Sequence, residues 1–192
     1  LISCITSCGK CAMCKKGSYG HCRYGGWILG NTIDGCQAEY VRIPHADGSL
    51  YRLPADADEE AYVMLSDILP TGLEVGVLEG KVKPGCTLAI VGAGPVGLAA
   101  LLTAQFYSPA RIIMIDLDDN RLNVAAELGA SDLINNRDGS AVDKVMKMTD
   151  GQGVDVTIEA IGTPAGWDIC ENIVAPGGNI AILGVHGKSV TL

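Results

Sequence analysis

The sequence predicts an α/β chain organised around a parallel sheet covered by helices on both faces, with a smaller, irregular part ahead of it. Three observations carry this reading. From Thr87 onward, short apolar runs rich in β-branched residues (TLAIVG, RIIMIDL, DLIN, VDVTIEAIG, NIAILGV) alternate with helix-length segments beginning near Pro95, Asp118, Ser140 and Pro164. Strands that alternate with helices imply crossover connections, and crossovers imply parallel neighbours buried on both faces. Between the first two runs stands GAGPVG, and four of the eight cysteines crowd between Cys8 and Cys22, where no hydrophobic periodicity would otherwise hold the chain.

Taken in order, residues 1–30 read as a strand followed by an irregular Gly/Cys loop. Residues 37–54 (QAEYVRIPHADGSLYRLP) alternate apolar and polar and hold two prolines, the pattern of short antiparallel or edge strands. ADADEEAYVML supplies an acidic first turn and then apolar residues, a helix start. Pro70 predicts a break or kink in its continuation. The boundary falls within Glu79 to Gly85 or, counting the preceding helix with the sheet, near Asp56, which gives a first domain over 1–56 and a second over 57–192.

Composition narrows the function. With 192 residues, 48% hydrophobic content and a mean hydropathy of +0.26, the chain can bury a proper core. A formal charge of -8 and a pI near 4.7 repel polyanions, and no basic stripe reverses that sign, so nucleic acid is not an expected partner. The most apolar run, AIVGAGPVGLAALLTAQF, is punctuated by Gly92, Gly94, Pro95 and Gly97, so no membrane span is expected. The sequence opens at Leu1 with neither an initiator Met nor a signal segment, and the expectation is an internal segment of a longer cytoplasmic protein.

Cys8, Cys11, Cys14 and Cys22 spell C-x2-C-x2-C-x7-C, while Cys4, Cys36, Cys86 and Cys170 are scattered. A crowded set in a chain without secretory signals favours a metal over disulfides. Four thiolates saturate a tetrahedral zinc ion and leave no position for water, so the site would be structural. The alternatives are unligated thiols and an iron–sulfur cluster. The ferredoxin pattern continues x3-C-P, whereas Lys15 and Lys16 follow here. Cys4 reads as a small buried residue, and His21, beside Cys22, is a substitute ligand that four thiolates make unnecessary.

GAGPVG is G-x-G-x-x-G, a weak signal alone, but a strand precedes it and a helix follows. Gly92 permits the tight turn, Gly94 lets a pyrophosphate approach the backbone, and Gly97 allows the helix to pack on the strand. Pro95 suits the first helical turn, where its missing N–H is not needed, and Val96 follows it in the same turn. The next strand ends in Asp116, twenty-four residues beyond Gly92, the spacing of a carboxylate that bonds the adenosine ribose and repels a 2′-phosphate. NAD is therefore expected over NADP. The competing reading is that Asp116 merely starts a turn with Asp118 and Asp119.

A four-cysteine lobe upstream of a dinucleotide fold resembles the zinc-dependent medium-chain alcohol dehydrogenases, in detail the bacterial secondary-alcohol enzymes. The resemblance covers essentially the whole chain. It implies part of a GroES-like, β-rich catalytic domain with a structural zinc lobe, then a Rossmann doubly wound sheet whose last strand is missing after Leu192. In MLSDILPTG it implies Asp67 as one ligand of a catalytic zinc and Thr71 beside the nicotinamide. A carboxylate in the apolar helix YVMLSDILP would be costly without a cation, although a helix-surface or capping role for Asp67 stays open. Trp27 matches a wall of the alcohol pocket, with simple core packing as the alternative. Arg121 would contact the adenosine ribose, and Ala160, Ile161, Gly184 and Val185 would lie along the cofactor. His186 would touch cofactor or substrate, or be an ordinary loop residue.

The activity so implied is reversible hydride transfer between a primary or secondary alcohol and NAD, giving an aldehyde or ketone, in a homo-oligomer (dimer or tetramer) with structural and catalytic zinc. The family's other catalytic ligands precede the structural lobe, so the 192 residues alone are expected to be inactive. Two rivals stand beside this: a cofactor- and zinc-binding module without catalysis, and a zinc-free quinone reductase relative. The edge of strand NIAILGV would be prone to association.

Overall fold

The computed structural model describes residues 1–187, and the chain divides into two compact units, Leu1–Asp67 and Ile68–Leu192.

The first unit holds little regular structure. Helix α1 (Ala12–Lys15) and a 3-10 turn (Tyr19–His21) belong to the cysteine loop; α2 (Ala46–Ser49) and α3 (Glu59–Tyr62) follow. Isolated antiparallel bridges join Thr6 to Gly26 and Ile2 to Leu50. The strands expected over 37–54 do not form. A strand exists through its ladder, and this segment meets a partner only at its end, where Leu50 bridges Ile2 and Tyr51 exchanges backbone hydrogen bonds with Leu1. Ahead of α2, residues 37–45 form neither strand nor helix, and Tyr40 is 92% exposed.

The helix start at ADADEE is where the acidic turn places it. The Asp58 carboxylate accepts the amides of Glu60 and Ala61, and Glu59 and Glu60 complement the helix N-terminus. After one turn the helix tightens to 3-10 over Val63–Ser66 and breaks at Asp67 (φ -152, ψ -61). Pro70 has no N–H to give the carbonyl four residues back, that of Ser66, which accepts the Cys4 amide instead. The expected break is present, three residues ahead of the proline that causes it.

In the second unit, α4 (Ile68–Thr71) widens into a π-helical stretch (Gly72–Leu78). The alternation then runs β1 (Thr87–Val91), α5 (Pro95–Ala104), β2 (Arg111–Asp116), α6 (Asp119–Glu127), β3 (Asp132–Asn135), α7 (Ala141–Met148), β4 (Val154–Glu159), α8 (Pro164–Ile173), β5 (Val174–Ile182). All pairings are parallel, in the order β3-β2-β1-β4-β5, with β5 terminal among the described residues. This is the Rossmann arrangement, with its switch point between β1 and β4.

The core follows from the period-two geometry of the strands. Leu88, Ile90, Ile112 and Met114 pack on one face with Ala100, Leu101 and Leu122; Ala89, Val91, Ile113 and Ile115 pack on the other with Val145, Cys170 and Ile173. Each buried Val, Leu, Ile or Met among them contributes about 1.5–3 kcal/mol by burial, and Ile90→Ala alone would cost ~2–5 kcal/mol. Helix α5 is apolar nearly all round because the segment 68–78 covers the side that the sheet does not. The two approach so closely at Gly72 that a Cβ there would lie 2.7 Å from the Ala100 nitrogen. No single helix among the described residues is long and apolar enough to cross a membrane.

Candidate functional site

The cysteine loop is held by its own amides. Cys11 caps α1 with its sulfur accepting the Cys14 amide at 3.5 Å, Cys8 Sγ accepts from Cys11 at 3.4 Å, and Cys22 Sγ accepts from Cys8 at 3.3 Å. The four Sγ atoms lie within 4.8 Å of one another, with Cys11 and Cys14 at 3.5 Å and Cys8 and Cys14 at 4.0 Å. One zinc ion at ~2.3 Å from each ligand spreads its tetrahedron to about 3.8 Å between sulfurs, so the donor set fits a single zinc. The thiols are unequal. The Cys14 and Arg23 amides pull Cys11 down to about 6, the Cys8 amide lowers Cys22, and burial pushes Cys14 up to about 12. A divalent cation shared by all four would hold every one as thiolate. Among the described residues, neither Cys4 nor His21 joins this cluster.

Asp67 is exposed at the helix break, so its carboxylate carries no burial cost there, unlike that of a residue inside an apolar helix. Trp27 is 59% exposed among the described residues. Thr71 is the half-buried last residue of α4.

In the second unit the residues singled out from sequence converge on the carboxyl ends of the strands. Gly92 leaves β1 at φ +107, which an L side chain rarely adopts, and its Cβ would lie 2.9 Å from the Ile161 side chain. A Cβ on Gly97 would collide with the Gly92 carbonyl oxygen, whereas one on Gly94 would meet nothing within 4 Å. The protein's own packing therefore requires glycine at 97 and leaves open space over Gly94, a cradle that a Cβ would fill, beside Pro95 and Val96 at the start of α5. That is where a pyrophosphate would lie on a helix N-terminus.

Asp116, buried at the end of β2, does more than the sequence suggested. Its Oδ2 accepts the Ala93 amide at 2.6 Å, and Oδ1 accepts those of Leu117 at 2.7 Å and Asp118 at 2.9 Å. It thus both starts the turn and pins the glycine loop to β2, with one lone pair of Oδ2 left for a ribose hydroxyl. Arg121 is exposed in the first turn of α6, which Asp118 caps. Across the switch point, Ala160 gives its amide to the Val91 carbonyl, and Ile161 and Val185 are 48% and 86% exposed.

One residue, Glu159, escaped the sequence reading. Glu159, last in β4, is fully buried, and His186 Nε2 lies 3.1 Å from its carboxylate, so His186 is no ordinary loop residue. The available signal was the carboxylate ending a buried strand, VDVTIE, just as Asp116 ends RIIMID.

Two family models match: one described as alcohol dehydrogenase GroES-like domain over residues 1–55, and one described as zinc-binding dehydrogenase over residues 95–192. The chain belongs to the zinc-dependent medium-chain alcohol dehydrogenase family. Similarity to this family runs the length of the chain. An alcohol dehydrogenase of Cupriavidus necator is 38% identical over 188 residues, 98% of this chain and 50% of the relative. An NADP-dependent isopropanol dehydrogenase of Thermoanaerobacter brockii is 35% identical over 87% of this chain and 47% of its own length. The solved structure of zinc dependent alcohol dehydrogenase 2 from Streptococcus pneumonia, apo form, superposes with a TM-score of 0.94 at 58% identity, covering 100% of this chain and 55% of that one. The chain spans about half the length of the curated relatives it matches.

Proposed function

We propose that the protein is an NAD-dependent zinc alcohol dehydrogenase that moves hydride reversibly between a primary or secondary alcohol and the nicotinamide. The observation that carries this reading is the open cradle at Gly94, pinned to β2 through Asp116 at the switch point of a parallel sheet. It is supported by a four-thiol cluster that fits zinc and by the family to which the chain belongs.

When bound, a catalytic zinc supplies Lewis-acid polarisation of the alcohol oxygen, and the nicotinamide supplies the hydride acceptor. The residues of this chain bind and orient. Cys8, Cys11, Cys14 and Cys22 hold a structural zinc that fixes a loop without a core of its own. Asp67 offers a carboxylate to the catalytic metal, Trp27 an apolar wall to the substrate, and Thr71 a contact to the nicotinamide. Gly92, Gly94, Pro95, Val96 and Gly97 shape the pyrophosphate turn. Asp116 and Arg121 hold the adenosine ribose, and Ala160, Ile161, Gly184 and Val185 line the path of the cofactor. Asp116 favours NAD because a 2′-phosphate would meet its carboxylate. Oligomerisation belongs to the same reading.

The test is zinc content per chain together with NADH and NADPH titration by fluorescence, followed by turnover of a panel of primary and secondary alcohols. Zinc with NADH preferred supports the binding assignments; tighter NADPH binding would overturn the cofactor choice. Because the 192 residues alone are expected to be inactive, turnover is read in the longer protein; cofactor and zinc binding there without turnover of any alcohol would favour a binding module over an enzyme.

A further inference from the structure

Glu159 is a carboxylate with no exposure at all, placed where β4 ends. Such a group must have its oxygens satisfied. Oε1 accepts the amides of Ile161 at 3.0 Å and Gly162 at 2.9 Å, and Oε2 lies 3.1 Å from His186 Nε2. His186 follows β5, so one buried carboxylate ties the loop after β4 to the loop after β5. Space for it is made by two glycines: a Cβ on Gly166 would collide with Oε1, and one on Gly184 with Oε2.

With Nε2–H given to Glu159, the other ring nitrogen, Nδ1, is buried and has no hydrogen-bond partner among the described residues. The same two loops carry Ile161 and Val185, large apolar side chains left 48% and 86% exposed. A rigid, hydrogen-bonded anchor beneath two uncovered apolar side chains is the arrangement of a site that a ligand completes.

The position of that site follows from strand order. If the adenosine ribose meets Asp116 at β2 and the pyrophosphate meets the turn after β1, the second nucleotide runs across the switch point, over the ends of β4 and β5. We propose that Glu159 and His186 are a positioning pair for the nicotinamide half of the cofactor. They fix the two loops so that Ile161 and Val185 bracket the nicotinamide nucleoside, and they leave His186 Nδ1 as the acceptor for a hydroxyl or amide hydrogen on it. The inference rests on the dinucleotide reading above.

The test measures dissociation constants of NADH and of ADP, which carries only the adenosine and pyrophosphate parts, for the full chain and its variants by calorimetry. His186→Ala is expected to weaken NADH by about tenfold, the loss that goes with one hydrogen bond, while ADP affinity stays within about twofold. His186→Gln, which keeps a donor within reach of Glu159, recovers part of that loss. Long-range 15N spectra of wild-type imidazole should show the Nε2–H form, with the Nδ1 resonance moving on addition of NADH and not of ADP. Equal losses for NADH and ADP would mean a merely structural role and overturn the proposal, as would no change in either. A wild-type chain that binds ADP and not NADH would overturn it while leaving the adenosine site standing. A chain that binds neither would remove the dinucleotide reading itself.

Discussion

The carboxylate of Asp116 and the backbone amide of Ala93 are joined by a hydrogen bond of 2.6 Å, which ties the end of β2 to the glycine turn after β1. Asp116 therefore shapes the turn before any ribose arrives. In Asp116→Asn one acceptor oxygen becomes a donor facing amide hydrogens, at a cost of about 1–3 kcal/mol in stability. NADH affinity should fall, and the ratio of NADH to NADPH affinity should fall with it, because the charge that repels a 2′-phosphate is gone. Thermal melts and paired cofactor titrations measure both. An unchanged ratio would show that this carboxylate does not discriminate between the cofactors.

Two glycines of one motif should fail in different ways. Gly97→Ala drives a Cβ into the Gly92 carbonyl and should destabilise the fold by several kcal/mol, read as a lower melting temperature. Gly94→Ala meets nothing within 4 Å and should fold normally, yet lose about tenfold or more in NADH affinity because the new methyl occupies the phosphate cradle. If Gly94→Ala binds NADH as wild type does, the pyrophosphate does not sit there.

Zinc removal tests the cysteine lobe. A metal bound only by the folded state adds about 4 kcal/mol when present at a thousandfold excess over its dissociation constant. A chelator should lower the melting temperature, zinc should restore it, and Cys14→Ser, which removes a buried ligand, should abolish the difference. Melting curves that ignore zinc would leave the cluster as four unligated thiols.

Acid should weaken the second unit through α7. Asp138 accepts from the Ser140 hydroxyl and amide and from Lys144 Nζ, and these hold its carboxyl at about 2, below the ordinary 3.8. A carboxyl depressed in the folded state stabilises it fully above its ordinary value, and that contribution is lost as pH falls through the folded value. Asp132 is lowered in the same direction by its hydrogen bonds to Arg111. The melting-temperature gap between wild type and Asp138→Asn should be constant at neutral pH, shrink below about pH 4 and close near pH 2. A gap that persists at pH 2 would mean that these contacts do not stabilise the carboxylate form.

The local chemistry of this protein was legible in its residues. Apolar runs alternating with helices gave the strand–helix sequence from β1 to β5. Pro95 and Pro164 begin α5 and α8, and Asp118 caps α6 from one residue ahead, because caps and prolines act within a turn of themselves. The spacing of Cys8 to Cys22 and of Gly92 to Gly97 likewise reports local geometry. What depended on distant partners could be decided only in three dimensions. Residues 37–54 alternate like strands but find a ladder partner only at Leu50, since pairing requires a second segment that the pattern does not name. The second task of Asp116 needed β1 and β2 side by side. Glu159 and His186, twenty-seven residues apart, became a pair only when parallel strands brought two loop ends over one buried carboxylate. A hydrogen bond across a sheet is set by register and strand order, and neither is written in the spacing of two residues along the chain.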